Sequence, residues 1–325
     1  MRSLGTIVSI ATLVAAWTQA HAYEGANGQM KPGSFIGASA GAPPPGLYGF
    51  TKAYTYQSNV TGPVTSLVGN DVGVQTASGV QGFLYVPGWT LLGATYDAVL
   101  ALPAQMASVG SPLNKQASAA SNLYIVPIEL SWNLANTGFF AKAGVGLFAP
   151  TGTETGPNGW GSLVPPYWSI QPEFFLSYLK DGWNLTAAFA YEMPMANSFT
   201  GYRSGDVLHA DFTATKRIGK WTLGPVGYYV GQVTSDKTTS YYKGLVQNAN
   251  KTDVWAIGGL IGYDFGTVSV SLWGAQEVYA KASGALAGPF DVSSVTKGFT
   301  LMGQMNYRIW APDEQAPPKR PQFYK

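Results

Sequence analysis

The links between the extended segments of this chain alternate strictly between long and short, which limits the folds open to it more than any single motif. Period-two patterning gives twelve candidate strands: 46–58, 75–86, 89–104, 121–134, 138–149, 166–180, 183–193, 205–218, 221–235, 251–265, 267–280 and 297–310. The segments 59–74, 105–120, 150–165, 194–204, 236–250 and 281–296 are long. The other links are tight: Pro87-Gly88, Ala135-Asn136-Thr137, Asp181-Gly182, Gly219-Lys220 and Gly266. Gly, Asn and Asp accept the positive φ of hairpin turns. A soluble antiparallel sheet has no reason to sort its loops by length. A barrel of the outer membrane does, with short periplasmic turns and long extracellular loops. An even strand number puts both ends of the barrel on the short-turn side.

The strands have two unlike faces. In 205–218 the series Leu208, Ala210, Phe212, Ala214 opposes His209, Asp211, Thr213, Thr215, Arg217. In 297–310, Phe299, Leu301, Met305 and Ile309 oppose Thr300, Gln304, Asn306 and Arg308. In 166–180, Trp168, Ile170, Phe174 and Leu176 oppose Ser169, Gln171, Glu173 and Ser177. In 121–134, Tyr124, Val126, Ile128, Leu130 and Trp132 oppose Glu129, Ser131 and Asn133. Periodicity alone does not say which face meets water. Composition does: charged residues are 11% of the chain, against about a quarter in a soluble domain. Past the N-terminus no apolar run approaches the roughly 18 residues of a spanning helix. The expected fold is an all-β, antiparallel transmembrane barrel of twelve strands over residues 46–310, apolar face to lipid and polar face to the lumen.

On this reading the lumen-lining candidates are Lys52, Asp97, Glu129, Lys142, Glu173, Glu192, His209, Asp211, Arg217, Glu277 and Arg308. Glu129 and Lys142, on strands joined by a short turn, are placed to pair. Trp89, Trp132, Tyr178, Trp183, Trp221 and Trp310 fall near the short turns, as an interfacial aromatic girdle requires. A second belt on the loop side would draw on Tyr56, Tyr124, Tyr167, Trp168, Tyr191, Trp255 and Tyr279. Trp160, Tyr167, Tyr202, Tyr241, Tyr242 and Phe290, in or beside the long loops, could gather aromatic solutes at the mouth.

Residues 1–22 carry the marks of a secretory signal: Arg2, an apolar run from Leu4 to Trp17, and Ala20-His21-Ala22 as cleavage pattern. Export with this composition points to the outer membrane of a Gram-negative bacterium. Residues 23–45, ending in Pro43-Pro44-Pro45-Gly46, lack any period. They are expected as a periplasmic leader or as a plug folded into the lumen. Residues 311–325, with Pro312, Pro317, Pro318 and Pro321, are expected to be a disordered tail. The near balance of 19 Lys and Arg against 17 Asp and Glu leaves no basic block for nucleic acid. Without Cys, and with only His209 past the export signal, neither a thiolate nor an imidazole metal site is expected. No cofactor and no catalytic group are expected.

Several short motifs carry a resemblance. Pro43-Pro44-Pro45-Gly46-Leu47-Tyr48, Ala149-Pro150-Thr151-Gly152, Asn197 to Gly205, His209-Ala210-Asp211 and Gly224 to Gln232 together resemble the MetA-like outer-membrane barrel family associated with the meta-pathway of phenol degradation. Ser121-Asn122 stands where that pattern has Gly-Asp. The resemblance implies a barrel for passive uptake of small hydrophobic or aromatic compounds, with outer-membrane lipid and those solutes as partners. A general small-solute porin and a structural surface barrel with a closed lumen stay open. The sequence carries no signal for oligomeric state.

Overall fold

The computed structural model describes residues 24, 28–65, 69, 72–111, 114–135, 137–153, 163–244, 251–284, 291 and 293–312. The expected export signal, Asn136, Trp160, Phe290 and residues 313–325 of the tail lie outside the described residues. The strands are β1 (Gly46–Thr61), β2 (Gly73–Val86), β3 (Thr90–Leu91), β4 (Ala94–Val109), β5 (Lys115–Ala120), β6 (Leu123–Leu134), β7 (Phe139–Ala149), β8 (Ser169–Tyr178), β9 (Trp183–Pro194), β10 (Val207–Ile218), β11 (Trp221–Gln232), β12 (Lys251–Asp264), β13 (Val268–Ser283) and β14 (Val295–Trp310). All but the short β3 and β5 join one closed antiparallel ring. β2 pairs with β4 and β4 with β6; β6 to β14 then pair in chain order, and β14 pairs with β1 from Leu47↔Trp310 to Thr61↔Val295. Closure leaves the ring without an unpaired edge, which hydrocarbon would not tolerate.

Eleven of the twelve expected strands occur at close to their expected bounds. The third, expected at 89–104, runs instead from Ala94 to Val109. Its turn is Leu92-Gly93, with φ of 52° and 76°, the pair of left-handed residues that a type I′ hairpin needs. Asp181-Gly182 does the same with φ of 52° and 76°. Pro87-Gly88 lies ahead of β3, not in the turn. The long segment 105–120 is largely a hairpin projecting beyond the ring, with Ala104↔Ala120 through Val109↔Lys115 paired between β4 and β5.

The outer face is apolar. Leu100, Leu102, Met106, Phe174, Leu176, Ile257, Ile261, Leu272, Phe299, Leu301 and Met305 are exposed, and the inward positions hold the buried polar groups. So much contiguous exposed apolar surface marks a lipid contact. A β-bulge changes one face assignment. The β6–β7 register shifts between Ile125 and Ile128, with Val126 and Pro127 unpaired. One extra residue moves the following side chains to the other face. Tyr124 and Val126, expected outside, therefore line the lumen, and Ile128 faces out.

Inside, β10 to β14 supply an apolar cluster that includes Val226, Tyr228, Val254, Leu260, Trp273 and Met302, with Ile36 packed into it. Gly82 faces Phe50 across β1 and β2. A Cβ built on Gly82 would lie 1.9 Å from the Phe50 ring, whereas one on Gly79 meets nothing within 4 Å. Gly82→Val is expected to cost about 1–3 kcal/mol by overpacking, read as a lower urea midpoint. Gly79→Val on the same strand should leave the midpoint almost unchanged.

Candidate functional site

The segment ahead of β1 runs along the barrel interior. Its backbone amides find partners on the inward faces of β6, β8, β9 and β10. Gln29 N donates to both Glu192 oxygens at 3.1 and 2.9 Å, and Met30 N to Glu192 Oε2 at 3.3 Å. Gly33 N and Phe35 N reach the Asp211 oxygens at 3.2 and 2.8 Å. Gly37 N donates to Thr213 at 2.9 Å, Ala40 N to Ser177 at 2.8 Å and Ala42 N to Ser131 at 3.1 Å. Asn184 Nδ2 and Lys52 Nζ cap the Ala38 and Ser34 carbonyls at 3.2 and 2.6 Å. An aperiodic segment buried in a barrel must satisfy its amides, and those of Ser34, Ile36 and Ala38 do so within the segment, on the Lys31, Gly33 and Phe35 carbonyls at 3.2, 3.1 and 3.0 Å. Two glycines permit the close approach. Gly28 has φ +86° and a Cβ there would sit 2.5 Å from Glu192 Oε2; Gly33 has φ +76° and a Cβ would sit 2.5 Å from Trp273.

Of the charged positions chosen from alternation, Asp97, Glu129, Lys142, Glu173, Glu192, His209, Asp211 and Glu277 are buried, and Lys52 is half-buried. Asp97 and Glu129 face each other in the β4–β6 register. Lys142 lies between them, 2.8 Å from Glu129 and 3.3 Å from Asp97. Asp97 is an expected lumen residue, but nothing in the sequence signals that it joins this pair, because it comes from a strand further back in the chain. Glu173 accepts from Gln171 at 2.7 Å and from the Tyr124 hydroxyl. Glu277 accepts from Tyr56 at 2.7 Å, Tyr228 at 2.9 Å and Gly298 N at 2.7 Å. His209 is 1% exposed and 3.9 Å from Glu192, with neither ring nitrogen hydrogen-bonded among the described residues. Arg217 and Arg308 keep the inward parity but lie at the turn-side rim, exposed. Arg217 pairs there with Asp264 at 2.7 Å.

Around the turns, Trp89, Trp183, Trp221 and Trp310 are exposed, while Trp132 and Tyr178 are half-buried. Trp132 Nε1 donates to the Leu92 carbonyl at 3.1 Å, and Lys216 Nζ lies 4.9 Å from the Trp183 ring centroid. The loop-side belt is corrected by the structure. Trp168, Trp255 and Tyr279 are exposed, but Tyr167 is buried, and Tyr56 and Tyr124 turn inward to serve Glu277 and Glu173.

At the loop mouth the segment Asn197 to Gly205 builds a polar knot. Glu24 accepts from Asn197 at 2.5 Å, from Thr200 at 2.6 Å and from the Tyr242 hydroxyl. Tyr202 and Gly205 N hold Asp236, the latter at 2.7 Å, and Arg203 pairs with Asp206 at 2.9 Å. Desolvation raises the Glu24 pKa above the usual carboxylate range and pushes Asp236 up to about 6. Asn122 Nδ2 ties Gln29 and the Pro165 carbonyl together at 2.9 and 2.8 Å, so the Ser121-Asn122 departure still carries a structural contact. No sequence signal pointed to Glu24, which follows the expected cleavage point by two residues.

Two cavities border the internal segment. One, of about 500 Å³, is lined by Met30, Phe35, Phe50, Tyr124, Val126, Phe148 and Phe175, with Lys52, Glu129, Lys142 and Glu173 at its wall. The other, of about 360 Å³, lies toward the loops against Tyr54, Tyr56, Val74, Val254, Glu277 and Val295.

Lys142→Met leaves two facing carboxylates without a cation and is expected to cost about 3–5 kcal/mol in equilibrium unfolding. Adding Asp97→Asn and Glu129→Gln to it should recover most of that loss. Asp236 binds more protons folded than unfolded between its ordinary value of 3.8 and about 6, so stability must fall as pH rises through that window and then level off. Protease resistance of the loop around Asp236 should follow that fall, and Asp236→Asn should flatten it.

No curated protein matches the chain. Among solved structures, the COG4313 outer membrane channel from Pseudomonas putida F1 is 13% identical, with a TM-score of 0.68 covering 86% of this chain and 99% of that one. The translocator domain of autotransporter NalP from Neisseria meningitidis is 12% identical, with a TM-score of 0.47 over 82% of this chain and 89% of that one. The first shares this barrel fold. One family model, described as "Putative MetA-pathway of phenol degradation", matches residues 56–288. With its closed twelve-strand ring, its apolar outer face and most of its length matched, the chain belongs to that family of outer-membrane barrels.

Proposed function

We propose that this barrel is a non-enzymatic channel for passive uptake of small hydrophobic or aromatic compounds across the outer membrane. The observation that carries the reading is the cavity of about 500 Å³ beside the internal segment, walled mainly by aromatic and aliphatic side chains. An apolar cavity of roughly 150 Å³ accepts benzene, so a ring with substituents has room. The lumen around it is occupied by the internal segment and by side chains, which disfavours a wide aqueous pore. His209 and Asp211 act as wall and as anchor for the segment. The tryptophans near the short turns anchor the barrel at the periplasmic interface, where amphipathic rings are favoured.

The similar Pseudomonas putida structure bears the name of a channel, which agrees with passage of solute but names none. A general porin is the second reading. It is favoured by the charged groups Lys52, Glu129, Lys142 and Glu173 at the cavity wall, since charged side chains lining a pore sort ions.

Single-channel recording in a planar bilayer separates the readings. The full chain should conduct little, and deletion of residues 23–45 should open a steady conductance. Proteoliposomes of the full chain should still take up a neutral aromatic such as benzyl alcohol faster than empty liposomes. Steady conductance from the full chain, lowered in cation preference by Glu129→Gln with Glu173→Gln, would establish the porin instead. Silence in both forms, with no aromatic uptake, would establish a closed structural barrel.

A further inference from the structure

We propose that solute passes beside the internal segment while that segment stays docked, through two chambers in series separated by Met30, Lys31 and Gln105. The inference rests on the channel reading above and assigns its path and its selective step.

The amides of the segment are bonded to one side of the barrel, and on the opposite side Lys52 Nζ of β1 caps the Ser34 carbonyl at 2.6 Å. The amides are held by Ser131 on β6, Ser177 on β8, Glu192 on β9, and Asp211 and Thr213 on β10. Withdrawing the segment would leave two buried carboxylates, Glu192 and Asp211, without the amides that satisfy them, and a buried polar group without a partner is costly. The β10 to β14 side is partly filled by the cluster around Tyr228 and Trp273, with Ile36 of the segment packed into it, and the smaller cavity borders Val254, Glu277 and Val295 on that same side. The larger open volume is left toward β1, β2 and β4.

That volume is divided. The loop-side cavity of about 360 Å³ and the deeper one of about 500 Å³ share three bordering residues, Met30, Lys31 and Gln105. Met30 and Gln105 are buried between the two chambers, so their side chains set the width of the passage from one to the other. Gln105 reaches the Leu163 carbonyl at 2.7 Å, and Met30 Sδ accepts from Gln171 at 3.7 Å. Both are unbranched side chains with several rotatable bonds, and Met adapts readily to irregular space. A rotamer change at this border widens the passage without breaking any amide-to-carboxylate bond. Lys31 places a cation at the same border, which favours a solute with a π-face or an electron-rich oxygen over a cation.

The chain has no cysteine, so single thiols report access without a background. Gln105→Cys is placed at the border and Ser177→Cys beneath the docked segment. Each is reconstituted as the full chain in liposomes, checked for folding by heat-modifiable mobility, and exposed to a bulky methanethiosulfonate. Labelling is read by mass spectrometry. Gln105→Cys should label at least about tenfold faster than Ser177→Cys, as expected of sites that differ in protection. Labelling of Cys at 105 should also abolish benzyl alcohol uptake. Comparable labelling at the two sites would mean that the segment leaves the wall and would overturn the proposal. So would full labelling at 105 with uptake unchanged. Protection at 177 together with block of residual ion current at 105, but no aromatic uptake by the unlabelled chain, would keep the path and reject the solute class instead.

Discussion

The interior of this barrel depends on backbone amides of one aperiodic segment bonding to carboxylates on the wall. Glu192 and Asp211 are buried where water does not reach them, and each accepts two or more hydrogen bonds from the segment. A carboxylate in such a place is tolerated when donors surround it. The amides have the same need, since no strand ladder is available to them. Each side satisfies the other, so wall and segment are one polar network. The small residues of the segment follow from this. Gly28 and Gly33 approach Glu192 and Trp273 too closely for any side chain, and Ala40 and Ala42 donate without filling space.

The outer face obeys a separate constraint. Lipid offers no hydrogen bonds, so the ring must close and its charges must turn inward. Lys142, Asp97 and Glu129 show how the inside then becomes crowded with charge. Two carboxylates face each other in register because both strands present that parity to the lumen. A lysine from the next hairpin offsets the repulsion. The pairing has little sequence freedom, because a Cβ added to Gly144, opposite Glu129 on β7, would lie only 3.2 Å from Glu129 Cγ.

Period two and turn chemistry are local, and what they govern was legible. The ring and the strand count follow from them, and the low charge content adds which face meets lipid. The misplaced third strand is instructive: Leu92 takes a left-handed conformation, φ 52°, that its side chain does not advertise, whereas Pro87-Gly88 advertises a turn that is not made. The bulge at Val126 and Pro127 inverts a face that strict alternation assigned otherwise. Arg217 and Arg308 have the right parity but the wrong depth, since alternation fixes the face of a residue and not its height. Glu24, the joining of Asp97 to the Glu129–Lys142 pair and the individual anchors of residues 28–42 were illegible for one reason. Their partners lie far off in sequence, on positions that read only as polar.

Twelve strands enclose more cross-section than the inward side chains of a ring can fill, unlike eight strands, whose interiors side chains nearly fill. The surplus has to be occupied or left open. Here the β10 to β14 side is partly filled by its own aromatic and aliphatic residues. The β6 to β10 side presents hydroxyls and carboxylates, and these hold a foreign segment. Both solutions reach β1, at Tyr54 and Lys52, and leave the side toward β2 and β4 unfilled, where Phe50, Val80, Val99 and Ala101 give an apolar wall. The chambers are the space that the cluster and the segment leave unfilled. Their size is therefore set by how far the segment reaches from its carboxylates and by the bulk of Met30 and Gln105 at the border. Strand number, which fixes the girth of the barrel, does not by itself fix the size of what can pass.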